Sequence, residues 1–267
     1  MPVMVSVQLL ALLLLVAPKG GPESRPEDLT AILKKARQVQ VADVKAWHQF
    51  RFRRTSFRED RDDEGVVRRH EELAFQVTPH GEDFEERLVE IDGRKPTRDE
   101  VKSQRDQARF AKHYRTLLAG NGGDDQEDRG YSLGQLLKMS SYRYAGLEEV
   151  NRNLCYRIDF EPDVERDVAG LEGKIARATE GSLWITVDGL HVARARARTV
   201  RPVAIVLSLA KLYAMDVAME SAPVGKDTWL PVEIDLKTRA RVLFSTRHRR
   251  NLYRYMEFEP VPDAAAP

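Results

Sequence analysis

The chain has 267 residues, of which 42% are hydrophobic and 32% are charged, with 43 Lys and Arg residues against 42 Asp and Glu residues. This near-balance of charge argues against a generic nucleic-acid binder, because such proteins carry a large excess of Lys and Arg on one face. The only cysteine is Cys155, which excludes an intramolecular disulfide and argues against a cysteine-based metal site.

The N-terminal segment differs in kind from the rest of the chain. Met4 to Ala17 is an almost unbroken apolar run of about 14 residues, shorter than the roughly 20 that a membrane-spanning helix needs. Such a run predicts a signal peptide over residues 1–20 and export of the protein. No Lys or Arg precedes the run and Pro18 follows Ala17, so an uncleaved leader or a misassigned start remains an alternative.

A first helix is predicted from about Pro26 to Lys45. The sequence Ser24-Arg25-Pro26-Glu27 has the form of a capping box with a proline in the first turn. Apolar residues then recur at steps of three and four and predict one stripe that packs on a sheet: Leu29, Ile32, Leu33, Ala36 and Val39.

A first group of strands is predicted over residues 47–91, where the period changes to two. Residues 48–58 alternate between aromatic and basic side chains, and the turn Asp62 to Gly65 leads into a second strand at 66–77. A third strand follows at 83–91. The second strand should place Leu73, Phe75 and Val77 together.

A second helix is predicted over residues 97–119, because Thr97-Arg98-Asp99-Glu100 is another capping box. The acidic, Gly-rich loop 120–130 joins two halves of one sheet, and its ligand spacing does not fit a calcium loop. A short helix at 133–138 follows. The charged segment 162–179 has no clear periodicity.

A second group of strands is predicted over residues 142–258. Strands at 142–150 and 154–160 flank the turn 151–153, with Cys155 as a moderately buried strand residue and Leu154, Tyr156, Ile158 and Phe160 on one face. Asp188-Gly189 is a strong hairpin signal. Around it, apolar Leu183, Ile185 and Val187 share a side, and Arg194, Arg196 and Arg198 alternate with Ala193, Ala195 and Ala197.

The run Val203 to Leu212 breaks this alternation because it is almost entirely apolar. It is read either as a buried strand or short helix that plugs the sheet, or as an apolar lip at the mouth of a cavity.

These elements predict a mainly β fold, a strongly curved antiparallel sheet with helices packed across its concave face. The expected organisation is a single domain at residues 24–260 followed by a disordered tail at 261–267.

No catalytic constellation is evident in the sequence. The six histidines are isolated, and neither a zinc motif, a nucleophile elbow nor a nucleotide-binding loop occurs. An enzyme therefore remains only a remote alternative, and neither a metal nor a cofactor is expected.

A binding role fits the residue types better. The candidate lining residues of a cavity are Phe50, Phe52, Leu73, Phe75, Leu183, Ile185, Met215, Val217 and Met219. The competing interpretation is that these residues form a filled core with no cavity.

Several segments together resemble a known family: Trp47-His-Gln-Phe-Arg-Phe-Arg-Arg, Asp92-Gly-Arg-Lys-Pro before a charged helix, Gly181-Ser-Leu-Trp-Ile-Thr-Val-Asp and Trp229-Leu-Pro-Val. The chain resembles uncharacterised bacterial envelope proteins of the LolA/LolB-like superfamily, related to outer-membrane lipoprotein-sorting proteins. The resemblance implies an incomplete (half) antiparallel β-barrel of eleven strands closed by helices, a periplasmic location and a cavity for acyl chains.

Two hypotheses of function follow. The first is a monomeric, non-enzymatic carrier that binds lipid or the acyl chains of lipoproteins. The second is an envelope sensor or protein-interaction module with a filled core, whose charged face at Arg194, Arg196 and Arg198 meets a protein partner.

Overall fold

The computed structural model describes residues 28–81, 83–104, 140–163, 170–206, 210–243 and 245–261. Its helices are α1 (Leu29–Ala46), α2 (described over residues 98–104) and α3 (Gly170–Ala176), with a 3₁₀ turn at Trp47–Gln49. The strands are β1 (Phe50–Arg61), β2 (Val67–His80), β3 (Asp83–Ile91), β4 (Ser140–Val150), β5 (Asn153–Pro162), β6 (Thr179–Thr186), β7 (Val192–Thr199), β8 (Val203–Val206), β9 (Ala210–Pro223), β10 (Trp229–Val242) and β11 (Ser245–Pro260).

The described strands form one 11-stranded antiparallel sheet in the order β3-β2-β1-β11-β10-β9-β7-β6-β5-β4, with β8 paired to β9. The first meander joins the last one through β1 and β11, which pair from Phe50 and Pro260 to Arg61 and His248. Among the described strands the outermost two, β3 and β4, do not pair with each other. The predicted fold class, a curved and incomplete antiparallel barrel, is confirmed.

Helix α1 lies against the sheet through the predicted stripe, since Leu33 and Ala36 are buried among residues of β5 and β6. It begins at Leu29, later than the predicted start at Pro26, because the side chain of Asp28 caps it. The Asp28 carboxylate accepts a hydrogen bond from the backbone N–H of Ala31 at 3.0 Å, which satisfies one of the unpaired donors of the first turn.

The predicted capping box at the start of α2 is confirmed. The Glu100 carboxylate accepts from the Thr97 backbone N–H at 2.7 Å, and the Glu100 N–H donates to the Thr97 hydroxyl at 3.3 Å. Arg94 also donates to Glu100. The hydrogen bond from Arg94, followed by that from the Thr97 backbone, lowers the pKa of Glu100 to about 2.

Two details of the β4–β5 hairpin differ from the prediction. Cys155 is fully buried, because it faces a second apolar layer outside the main core. Leu154 is 52% exposed and does not pack with Ile158 and Phe160, since it lies at the start of β5 beside the turn.

The segment predicted to lack periodicity contains α3. Its Ile175 is buried with Ala178, Val203 and Leu212. The apolar run thus contributes β8 and the buried Val203 to a small core under α3, as the buried-strand interpretation expects. The leader, the loop 120–130, the helix at 133–138 and the tail beyond residue 261 lie outside the described residues.

Candidate functional site

The face of the sheet on which α1 packs is called the inner face. One row of directly paired residues crosses this face from β4 to β3, and we call it the inner row. It consists of Tyr144, Ile158, Leu183, Ala195, Met219, Ile234, Tyr253, Ser56, Leu73 and Ile91. Because directly opposed residues of neighbouring strands point to the same side, these side chains form one continuous surface.

The two ends of the inner row are packed cores. Under α1 the first core comprises Leu33, Ala36, Ile158, Phe160, Leu183, Ile185 and Val192. Beyond β11 the second core comprises Phe52, Leu73, Phe75, Val77 and Leu88, with Trp47, Tyr255 and Phe258 packed against it. Both cores are buried, so neither offers apolar surface to a ligand as it stands.

Between the two cores the inner face carries apolar side chains that are only half-buried. We call this the apolar strip: Val217 and Met219 of β9, Ile234 and Leu236 of β10, and Tyr253 of β11. Apolar area left in contact with water forgoes about 25 cal/mol per Å² of stabilisation. A contiguous apolar surface of this kind marks a binding site more often than scattered exposed residues do.

Small side chains lie beside the strip toward the first core. Ala195 is paired with Met219 and Ala197 with Val217, and Gly181 is opposite Ala197. A Cβ atom at Gly181 would collide with the backbone oxygen of Arg196 and the ring of Phe160. The inner face therefore carries short side chains, or none, at these positions of β6 and β7 beside the strip.

An ion-pair cluster bounds the strip at one end of the barrel. Asp60 is buried and accepts hydrogen bonds from Arg58 at 2.7 Å and from Arg249 at 2.6 Å. Burial alone would raise the pKa of Asp60, but the two guanidinium groups outweigh it and lower this pKa to about 2. The carboxylate is therefore ionised at neutral pH and ties β1 to β11.

A polar latch holds the C-terminal end of α1. Asp43 is buried on α1, its Oδ2 is hydrogen-bonded to His191 Nδ1 at 2.8 Å, and its Oδ1 accepts from the Trp229 backbone N–H at 3.1 Å. The His191 ring also stacks on Trp229 at a centroid distance of 5.7 Å. One side chain thus links α1 to the β6–β7 turn and to the start of β10.

The predicted lining residues do not form one group. Leu183 and Ile185 lie in the first core, whereas Phe52, Leu73 and Phe75 lie in the second. Met215 packs against the core under α3, and Phe50 contacts Phe258 at a centroid distance of 6.3 Å.

Of the predicted lining residues, Val217 and Met219 belong to the apolar strip. The prediction omitted the other members, Ile234, Leu236 and Tyr253. Alternation of Ile234 and Leu236 with Glu233, Asp235 and Lys237 in β10 was the signal that could have identified them.

The opposite, outer face is charged, but two of the three predicted partner-binding arginines are paired within the chain. Arg194 donates to Glu220 at 2.5 Å and Arg198 to Glu180 at 2.7 Å. The Arg196 guanidinium lies 6.0 Å from the ring centroid of Trp184.

A register shift opposite Trp184 and Ile185 interrupts the predicted alternation in β7. Ala193 consequently packs with Cys155 and Trp184 in the second apolar layer, whereas Ala195 and Ala197 pack against the first core. The prediction that all three alanines share a side is wrong for Ala193.

No group of three or more His, Cys, Asp or Glu side chains in the described ranges is arranged to hold a metal ion. Within the same ranges no helix is long and apolar enough to cross a membrane.

No protein-family model matches the chain, and no curated protein matches it in sequence. Solved structures do match it. A DUF1329 family protein from Desulfovibrio piger is 10% identical, with a TM-score of 0.34 over 88% of this chain and 95% of that chain. A LolA superfamily protein from Nitrosomonas europaea is 12% identical, with a TM-score of 0.31 over 87% and 94%.

A third match is a putative outer membrane lipoprotein-sorting protein domain from Vibrio parahaemolyticus. It is 7% identical, with a TM-score of 0.35 over 86% of this chain and 92% of that chain. A LolA superfamily protein and a lipoprotein-sorting protein domain are thus among the solved structures to which the chain is similar.

Proposed function

We propose that the protein is an exported, non-enzymatic carrier that binds lipid or the acyl chains of lipoproteins on the inner face of its sheet. The observation that carries the proposal is the apolar strip, which lies half-buried between two packed cores. The implied location is the periplasm, with the apolar leader as the export signal.

The dimensions of the inner row suit an acyl chain. Neighbouring strands lie about 4.8 Å apart, so the row from Ala195 to Ser56 extends over roughly 19 Å across β7, β9, β10, β11 and β1. A chain laid across the row would contact Met219, Ile234 and Tyr253 in turn.

The free energy gained by burying an acyl chain in this way is sufficient for useful affinity. Each buried methylene contributes about 0.8 kcal/mol, so ten methylenes contribute roughly 8 kcal/mol before the entropy of association is subtracted. The short side chains of Ala195 and Ala197, beside the strip, leave the acyl chain room to lie against the sheet. Methionine at position 219 can adjust its side chain to ligands of different shape.

The ligand is identified by native mass spectrometry and lipid extraction of protein purified from the exported fraction of a bacterial host. We expect co-purified phospholipid or acylated peptide at near-stoichiometric amounts. Delipidated protein should also take up a fluorescent fatty acid. Wild-type protein that neither retains a lipid nor takes one up would contradict the proposal.

Variants locate the ligand on the inner face. Ile234→Asp and Met219→Asp each place a charge in the strip at a half-buried position, and we expect either change to weaken fatty-acid uptake about tenfold or more. Phe57→Asp is the matched control, because Phe57 is a half-buried apolar residue of the outer face, opposite Leu252 and Glu72. Unchanged uptake by folded strip variants would reject the strip as the site.

A further inference from the structure

The outer face of the sheet contains a compensated row of charges. Directly paired residues in this row are Glu180, Arg198, Asp216, Lys237, Arg250 and Glu59. Arg198 forms an ion pair with Glu180, and Arg250 forms one with Asp235. The basic side chains of this row are therefore neutralised largely by acidic neighbours.

Closer to the β10–β11 turn, basic side chains of β9 and β10 lie opposite other basic side chains. In the next row, His248 lies between Arg239 on β10 and Arg61 on β1. In the row beyond it, Arg241 lies between Lys211 on β9 and Thr246 on β11. Like charges placed directly opposite each other on neighbouring strands destabilise a sheet. Within the described part of the chain, Lys211, Arg239 and Arg241 form no ion pair with a carboxylate.

These three cations surround one aromatic ring. The Lys211 ammonium lies 5.4 Å from the ring centroid of Tyr213, and the guanidinium groups of Arg239 and Arg241 lie at 5.4 and 6.0 Å. The Nε atom of Arg241 is buried without a hydrogen-bond acceptor. We call Lys211, Arg239 and Arg241 the cation cluster.

An open groove of about 460 Å³ runs along the outer face beside this cluster. Arg239, His248 and Arg61 line it at the end nearer the cluster, and Glu59 and Asp216 line it where the compensated row begins. The Glu59 carboxylate already accepts a hydrogen bond from the Arg61 guanidinium at 2.7 Å. The groove is accessible from solvent on the side of the sheet opposite the apolar strip.

From this arrangement we infer that the cation cluster and the adjoining groove bind the phosphate group of an anionic ligand. A phosphate supplies several acceptor oxygens, and guanidinium groups recognise it with paired hydrogen bonds. Its negative charge would offset the repulsion between Lys211 and Arg241. The inference goes beyond acyl-chain binding, because its residues lie on the other face of the sheet.

The phosphate has two possible sources, a lipid headgroup in a membrane or a free phosphorylated compound. Protein purified from the exported fraction is therefore tested against inorganic phosphate by isothermal titration calorimetry. In parallel it is tested by co-sedimentation with vesicles of phosphatidylglycerol and of phosphatidylcholine. Binding of phosphate in solution indicates the free compound, and binding only to phosphatidylglycerol vesicles indicates the headgroup.

The test variant is Arg239→Gln with Arg241→Gln, and its matched control is Arg254→Gln. Arg254 is an outer-face arginine paired with Glu233 at 2.9 Å, so its removal should not affect the cluster. We expect the double variant to lose about tenfold or more in affinity, as the loss of charge-assisted hydrogen bonds implies. The control should bind like the wild type.

Three results would overturn the inference. One is wild-type protein that binds neither inorganic phosphate nor phosphatidylglycerol vesicles. Another is full binding by a double variant whose circular dichroism and melting temperature match those of the wild type. A third is an equal loss in the double variant and in Arg254→Gln, which would show a general effect of net charge. If the double variant does not fold, Lys211→Gln provides the same comparison at a side chain that carries no hydrogen bond to the sheet.

Discussion

Asp43 of α1 and His191 of the β6–β7 turn are hydrogen-bonded at 2.8 Å, although 148 positions separate them in the chain. Both side chains are nearly buried, at 11% and 12% exposure. Like the apolar stripe on α1, this contact attaches the helix to the sheet. It does so at the end of the helix, beside the first core. It therefore holds the C-terminal end of α1 over the first core.

Replacing Asp43 by Ala should lower the free energy of unfolding by about 1–3 kcal/mol, because two partly buried donors lose their acceptor. Those donors are the His191 ring and the Trp229 backbone N–H. Urea denaturation followed by fluorescence measures the change. Asp188→Ala is the control, since Asp188 is an exposed residue of the β6–β7 turn. Equal stability of Asp43→Ala and wild type would show that the latch contributes nothing.

Asp60 should make the free energy of unfolding depend on pH. Its pKa in the folded protein is about 2, below the ordinary 3.8, so the unfolded chain holds the proton more tightly. The resulting stabilisation is complete above about pH 4 and is lost as the pH falls toward 2. We expect it to be on the order of 1–2 kcal/mol.

The measurement is the difference in unfolding free energy between wild type and Asp60→Asn at a series of pH values. The difference should be largest at neutral pH and should shrink below about pH 4. Asp63→Asn is the control, because Asp63 lies in the exposed β1–β2 turn. A pH-independent difference for Asp60→Asn would contradict the assignment of the low pKa to this residue.

Gly181→Ala should destabilise the protein by about 1–3 kcal/mol, because the added methyl group has no space. The nearest atoms include the backbone oxygen of Arg196 and the Cα of Ala197, which cannot move without shifting β7. Thermal unfolding measures the effect. Gly225→Ala is the matched control, since its Cβ would lie 3.7 Å from the Phe50 ring, an ordinary contact. Similar melting temperatures for the two variants would refute the argument.

Cys155 should be unreactive in the folded protein. The side chain is fully buried, and burial raises the pKa of its thiol above the usual value, so little of the reactive thiolate is present. A colourimetric thiol reagent should label it within minutes in denaturant and far more slowly in native buffer. Rapid labelling of the native protein would show that the β4–β5 hairpin opens readily.

Local sequence patterns were sufficient for the strands and for a mainly β fold with a curved antiparallel sheet, whereas the incomplete barrel was implied by the family resemblance. A period of two depends on the chemistry of adjacent side chains, so alternation in β1, β2 and β6 was visible without knowledge of any partner strand. Likewise, the capping box of α2 needs only Thr97 and Glu100, three positions apart. The stripe of α1 was predicted for the same reason.

The candidate sites depend on strand order and register, which connect residues far apart in the chain. Ile234 joins Met219 and Tyr253 in one row only because β10 lies between β9 and β11. A single register shift in β7 was enough to move Ala193 to the other face.

The sequence by itself determined the periodicity, the turns and hence an open antiparallel sheet with a helix on its inner face, since these follow from local propensities and from solvation of one face. Only the tertiary structure decided which apolar residues are packed core and which remain half-buried. It likewise decided which arginines find a carboxylate, as Arg194 does with Glu220, and which face other cations, as Arg241 faces Lys211. Burial and charge pairing depend on neighbours brought together by strand pairing over long separations, and no local pattern encodes that register.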